Sequence, residues 1–385
     1  MKLAISLLCE NPERKTGLTT LFHALIERSI AYAEDVEWIV YVGATQECLI
    51  DSPRVEIVRR FPANDETLKR LHADHFLVAE DAASRGADAL LTTGFVPLNT
   101  AGLPIVMHML SMQHLSDENQ MGRLRRTYRG AVAKRGLQKA DLIITNTDFA
   151  ISQILSICPE AKDRILQSYE GLDHGDFSPK ARVGEKKHLL DAYELKHGYL
   201  FWSSNFYPYK QAELLMEAYA KLDPELRKKM PLIMVGGGGW GGGLESALDR
   251  AKEVGVLDDV RHLGWVPDED IAPLFRQAHA FVLSSREETF GRCVIEAMAC
   301  GVPCVVNDIP VMHEVTDGEA IIVDFHDRDA SAQALEKIAT DEKLRTRLIK
   351  GGLRRAADFD FDVLAAERID GIRAMLAERT GKAQA

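Results

Sequence analysis

Residues 280–315 read AFVLSSREETFGRCVIEAMACGVPCVVNDIPVMHEV. AFVLSS is the short apolar run of a buried strand, and a polar loop follows it. RCVIEAMAC then has the spacing of a half-buried helix, Gly301 and Pro303 stop that helix, and CVV opens another buried strand. Strand, loop, helix and strand in so few residues is the repeating unit of a parallel α/β sheet. The pattern continues on both sides. YLFWSSN, PLIMVGG and VRHLGW precede the stretch, and AIIVDF follows it, each leading into a helical pattern. The first half repeats the theme with KLAISLL, WIVYVG, ALLTTG, PIVMHML and DLIITN. Between these runs lie the helical LTTLFHALIERSIAYA after Gly17 and a long segment over 116–139.

Alternation in both halves predicts an α/β chain of two Rossmann-like, doubly wound parallel-sheet domains. The length agrees: at roughly 150 residues per domain, 385 residues imply two or three domains. ICPEAKDRILQSYEGLDHGDFSPKARVGEKKH is irregular and polar, which puts a hinge near 172–186. The expected domains are 1–178 and 179–361. Residues 362–385 are expected to form an amphipathic helix packing back toward the first domain.

There are 47 basic and 58 acidic residues, a net charge of −11, which argues against a nucleic-acid partner. None of the six cysteines forms a C-x-x-C pair and most sit in apolar runs, as expected of reduced core thiols. The opening MKLAISLLCE has too short an apolar run for a secretory core, and no run approaches the roughly 20 residues of a membrane span. A soluble, cytoplasmic protein is expected.

In such sheets ligands sit beyond the carboxyl ends of the strands. One glycine-rich loop lies there: MVGGGGWGGG, with glycines at 236–239 and 241–243. Its G-x-G-x-x-G match is almost automatic at this glycine density. The reading retained is close approach of backbone to a ligand near Gly237, against a plain flexible loop. The loop and helix of 288–296 say more. Seven residues separate Glu288 from Glu296, with the helix start between them. A helix N-terminus offers free N–H groups to an anion. Glu296, about 1.5 turns inside, can accept from a diol such as ribose, and Glu288 from hydroxyls beyond the anion. Diol, diphosphate and sugar in a row describe a nucleotide sugar; a salt-bridged helix start is the alternative.

The same stretch resembles the signature of retaining glycosyltransferases of family four, which have the GT-B fold of two Rossmann-like domains facing across a cleft. LFWSSNFYPYKQAELLMEAYAKL, LIMVGGG, VRHLGWVPDEDIAPLFRQAHAFVLSS and FDFDVLAAERI match in order. The likeness is strong over about 200–385 and looser over 1–180.

The resemblance implies that Glu288 contacts the donor sugar and Glu296 the ribose. It implies further that Thr289 and the backbone of Phe290, Gly291 and Arg292 face the sugar or diphosphate, which Lys210 neutralises. Asn205 stands where the family has an Arg, so one positive charge is missing. Arg292 stands where the family commonly has an apolar residue, and whether it compensates is left open. In the first half, Gly17 matches a glycine that lets backbone approach the diphosphate, and His108 a histidine near the reacting carbon. A helix-start glycine and a structural histidine are the respective alternatives.

The implied activity is transfer of a hexose from a UDP- or GDP-sugar to a hydroxyl of a glycan or lipid-linked acceptor, with retention of configuration. No cofactor and no metal are expected. Asp358, Asp360 and Asp362 read as carboxylates opening the last helix, and 268–270 as a loop. Seven Lys or Arg and no acid lie in 122–139, and Arg123, Arg125, Arg126, Arg129 and Lys134 are expected on one side, opposite Leu124, Tyr128, Ala131 and Val132. That face suits anionic lipid headgroups or an acceptor phosphate, or is simply solvated. An epimerase or phosphorylase on the same fold, or a silent nucleotide-sugar-binding subunit, are the rival readings.

Overall fold

The structure, a computed structural model, describes residues 1–9, 17–44, 46, 48, 50–62, 66–110, 123–196, 198–239 and 241–384. The chain divides into two compact units. The first comprises Met1–Gly171 with Phe361–Ala385, and the second Leu172–Asp360. The boundary therefore falls seven residues before the expected 178, and residues 172–178 belong to the second unit.

In the first unit the strands are β1 (Lys2–Ser6), β2 (Glu37–Gly43), β3 (Val55–Phe61), β4 (Ala89–Thr93), β5 (Ile105–His108), β6 (Leu142–Thr145) and β7 (Ile165–Gln167). They form one sheet in the order β3-β2-β1-β4-β5-β6-β7, with every pairing parallel. The order reverses between β1 and β4. Two of these strands escaped the sequence reading, and both are edges. VEIVRRF in β3 exposes Glu56, Arg59 and Arg60, and β7 is three half-buried residues inside a polar stretch. Neither has the apolar run that marks a strand covered on both faces.

The second unit holds β8 (Tyr199–Ser203), β9 (Leu232–Val235), β10 (Val260–His262), β11 (Ala278–Leu283), β12 (Cys304–Asn307) and β13 (Ile321–Val323). Their order is β10-β9-β8-β11-β12-β13, again all parallel, with the reversal between β8 and β11. Leu200, Trp202, Leu232, Met234, Ala280 and Val282 are buried in one continuous core with Leu215, Met216 and Tyr219 of the flanking helix Ala212–Ala220.

The closing helix Phe361–Gln384 belongs to the first unit. Ala365, Ile369 and Ile372 share a core with Phe22, Leu25 and Ile26 of the helix Gly17–Tyr32. Arg373 pairs with Asp35 at 2.6 Å and Tyr32 donates to Asp370 at 2.9 Å, so the helix is fixed by burial first and polar contacts second.

Candidate active site

In the second unit, the loops leaving β8 and β11 diverge to opposite faces of the sheet and open the crevice where ligands bind such folds. The two loops are bonded to each other. Ser284 Oγ donates to the Lys210 carbonyl at 2.9 Å, and the Arg286 amide donates to the Tyr209 carbonyl at 2.8 Å. Asn307, at the end of β12, donates to the Ser285 carbonyl at 3.1 Å and accepts from the Phe325 amide at 2.9 Å. Sequence reasoning missed Ser284 and Asn307. Their signal was position: short polar residues at the carboxyl ends of otherwise apolar strands.

Those ties hold two ion pairs. Lys210 Nζ lies 2.6 Å from Glu288 Oε1, with both side chains about nine-tenths buried. Burial opposes charging the Lys210 amine, but Glu288 with its hydrogen bond and the neighbouring Cys293 and Tyr209 outweigh it. The pKa is raised and the amine stays an ammonium. Its Nζ also stands 5.3 Å above the centre of the Tyr209 ring, which favours the charged form. The second pair is Arg292 Nε to Glu296 Oε1 at 3.0 Å, one helical turn apart. Between the pairs lies Cys293. Burial pushes its thiol well up, followed by Glu288 and Glu296, with Lys210 acting the other way. Such a thiol is protonated and a poor nucleophile. Glu288, Lys210 and Glu296 all act electrostatically on this one sulfur, so the three charged groups lie near one another.

The helix Arg292–Ala299 starts beside them. Its N-cap, Gly291, has φ +87° and offers no side chain to the first amides. A Cβ at this position would be strained and would run into Met312 Cε. Gly291 thus caps none of the first-turn N–H groups, and the Val294 amide bonds to the Gly291 carbonyl at 2.8 Å; a helix start of this kind suits an anion. Phe290 is buried, with its ring edge-on to Phe359 at 5.5 Å, so only its backbone can serve a ligand. Thr289 is half-buried in the same loop.

Several positions of the glycine-rich loop are set by packing against the rest of the protein. Cβ atoms at Gly236 and Gly243 would run into the Ser204 and Phe206 carbonyl oxygens, and one at Gly239 would lie 2.7 Å from Phe206 O. These glycines let one strand-end loop press on another, protein against protein. Gly237 donates its amide to Asn205 Oδ1 at 3.3 Å and accepts from the Phe206 amide at 3.0 Å. Asn205, where the family has an Arg, is therefore a tether for this loop.

In the first unit His108 ends β5 and is 2% exposed. Its ring is edge-on to Phe22 at 4.9 Å, and neither ring nitrogen has a hydrogen-bond partner among the described residues. Burial, then the Arg368 guanidinium, holds its pKa well below the ordinary value, so the imidazole is neutral. Arg368 is itself buried and bonds to Ser168 and to the Tyr169 carbonyl. Burial lowers its pKa to about 10, partly offset by Glu170 and Glu367. Gly17 is the first residue of its helix, and the residues between it and β1's loop lie outside those described.

Among the described residues, no group of three or more His, Cys, Asp or Glu is placed to hold a metal ion. Asp358 pairs with Arg355 at 2.9 Å and Asp362 with Arg28 at 3.4 Å. Residues 268–270 are not a loop. They form the first turn of the helix Asp268–Gln277, where Asp270 is buried and accepts from His188 at 2.7 Å and from Tyr193. The basic segment does form a helix, Arg123–Lys139, but its expected inner face is wrong. Tyr128 and Ala131 are exposed, and the buried positions are Ala133, Gly136, Leu137 and Ala140. Gly136 sets this rotation: a Cβ there would lie 2.7 Å from Met107 Sδ, so the helix rests on the sheet at its glycine. Lys134 and Lys139 face outward, and Arg135 turns in to donate to the Val96 carbonyl at 2.6 Å. The side chains of residues 123–126 lie outside those described. No described helix is long and apolar enough to cross a membrane.

Residues 192–355, which hold Lys210, Glu288, Arg292 and Glu296, match the family described as Glycosyl transferases group 1. Over this segment the chain is similar to the group 1 glycosyl transferases. An O-antigen chain mannosyltransferase B of Escherichia coli is 31% identical over 62% of this chain and 61% of its own. A D-inositol 3-phosphate glycosyltransferase of Saccharomonospora viridis is 29% identical over 64% and 58%. The chain thus spans about six tenths of the length of these curated relatives. Among solved structures, a sucrose-phosphate synthase of Thermosynechococcus elongatus superposes with a TM-score of 0.79 at 20% identity, over 98% of this chain and 99% of the other. HepE of Anabaena, in complex with UDP and glucose, gives 0.74 at 16% identity, over 97% and 100%. These likenesses establish the fold, two parallel-sheet α/β units of the GT-B class.

Proposed function

We propose that this chain is a glycosyl transferase of group 1 and moves a hexose from a nucleoside-diphosphate sugar to a hydroxyl of a glycan or lipid-linked acceptor. We propose further that it retains the anomeric configuration, needs no metal ion and works in the cytoplasm. The observation that carries the reading is the grouping of Lys210, Glu288, Glu296 and the glycine-capped start of Arg292–Ala299 at the β8/β11 reversal. The diphosphate lies against the amides of Gly291 and Arg292 and the Lys210 ammonium. Glu296 takes the ribose hydroxyls, and Glu288 orients the sugar. As the bond from the anomeric carbon to the diphosphate oxygen breaks, charge grows on that oxygen, where fixed donors already stand. Rate comes from this preorganisation and from positioning.

Lys210 and the amides supply the positive charge that a divalent ion supplies elsewhere. Glu288 rests on Lys210 and the neighbouring thiol is protonated, so neither is poised as a covalent nucleophile. By resemblance, His108 and Gly17 serve the same donor; a neutral imidazole can donate to or accept from a sugar hydroxyl without adding charge. The relatives' names, a mannosyltransferase and an inositol 3-phosphate glycosyltransferase, favour hydroxyl-rich acceptors.

Product analysis tests the reading. UDP-, GDP- and ADP-sugars are incubated with and without hydroxyl acceptors, and the new linkage is assigned by NMR. An axial donor should give an axial product only when acceptor is present. A changed sugar without acceptor would mean an epimerase, a requirement for free phosphate a phosphorylase, and inversion would overturn the mechanism.

A further inference from the structure

Arg292 stands in a place that elementary helix electrostatics disfavours. It is the first residue of the helix Arg292–Ala299, at the positive end of the helix dipole, behind a glycine N-cap that has no side chain to offer the first amides. Its partner Glu296 lies four residues toward the C-terminus, the weaker order for an acid–base pair along a helix. A cation there is at odds with the helix and with the nearby Lys210 ammonium unless an anion joins them. Yet the guanidinium is only 22% exposed and donates through Nε to a carboxylate that is 13% exposed, so it is not simply solvated.

We propose that Arg292 is an exchangeable donor-binding residue, parked on Glu296 without donor and moved to the diphosphate when the ribose takes its place. This rests on the reading of Glu296 as the ribose-binding carboxylate. Glu296 Oε1, which receives Arg292 Nε, is the atom a ribose hydroxyl would need. Ribose and guanidinium therefore compete for one acceptor. The displaced guanidinium lies at the helix start, where the diphosphate brings two negative charges to the first amides. A nucleoside alone displaces Arg292 and offers it nothing. A nucleoside diphosphate displaces it and gives it a bidentate partner. Discrimination in favour of phosphorylated ligands is thus built into one ion pair. It also supplies the positive charge missing at Asn205, which the Gly237 amide keeps engaged.

The test is calorimetric binding of uridine, guanosine and adenosine and of their diphosphates to native protein, Arg292→Leu, Arg292→Gln and Glu296→Ala, with melting temperatures as the folding control. In both Arg292 variants the nucleoside should bind about two- to fivefold more tightly, because its acceptor is vacated. The diphosphate should bind about ten- to a hundredfold more weakly, because a charge-assisted contact is lost. Glu296→Ala should weaken both ligands. Unchanged or weaker nucleoside binding in the Arg292 variants, with Glu296→Ala still harmful, would overturn the exchange and leave the ribose assignment standing. Nucleoside binding unaffected by Glu296→Ala would overturn both.

Discussion

Lys210 Nζ and Glu288 Oε1 face each other at 2.6 Å, on loops that leave two adjacent strands in opposite directions. The pair is almost fully buried, so each charge depends on the other. Removing one partner should cost about 3–5 kcal/mol, because an unpaired ion is left inside the protein. Lys210→Met and Glu288→Gln should each show this loss in urea unfolding. The double variant should recover most of the stability and still transfer no sugar. Single variants as stable as the native protein would mean that the pair does not organise the site.

The glycine-rich loop should separate into demanding and tolerant positions. Gly236→Ala places a methyl group against the Ser204 carbonyl at φ +138°, and Gly239→Ala places one against Phe206 at φ +69°. Backbone strain alone costs on the order of 1–3 kcal/mol. Gly238 has only Leu244 Cδ2 nearby, at 4.0 Å, so Gly238→Ala should fall within about 0.5 kcal/mol of native. Equal effects at the three positions, read from unfolding midpoints, would contradict this packing.

His108 gives the stability a pH dependence of known sign. Its folded pKa is depressed, so the unfolded chain binds the proton first as pH falls. The contribution is complete above the unfolded value of about 6.5 and is lost as pH drops from there toward the folded value. His75 and His279, lowered chiefly by burial, act the same way. Stability should fall between pH 7 and 5 by up to about 1.4 kcal/mol per pH unit for each such group. His108→Gln should flatten that slope. An unchanged slope would show that His108 is accessible to protons in the folded state.

Activity should survive EDTA, because Lys210 and the helix start neutralise the diphosphate. Loss on chelation with recovery on adding Mg²⁺ or Mn²⁺ would contradict that.

How much of this the sequence disclosed follows burial. The central strands β8, β9, β11 and β12 were legible as apolar runs covered on both faces, and the edges β10 and β13 from the runs VRHLGW and AIIVDF that contain them, whereas the edges β3 and β7 lie in polar stretches with no such run. Glu288 and Glu296 were legible from their spacing around a helix start, and Lys210 from the family resemblance, because the loops past β8 and β11 bring their backbones together. The Arg292–Glu296 contact was not, because spacing gives proximity and not the direction of a long side chain. The turned face of Arg123–Lys139 was lost for a related reason: Gly136 contributes nothing to an apolar pattern, yet marks the line of closest approach to the sheet.

Calorimetric titration of the donor into native protein and Glu296→Ala tests the central claim, that the β8/β11 crevice is the nucleotide-sugar site, most directly. The substitution should leave the protein folded at a stability cost of about 1–3 kcal/mol, because it removes the largely buried partner of Arg292. It should weaken donor binding by about 1.5–3 kcal/mol, the value of a charge-assisted hydrogen bond to a diol. Full donor affinity in a well-folded Glu296→Ala protein would contradict the assignment.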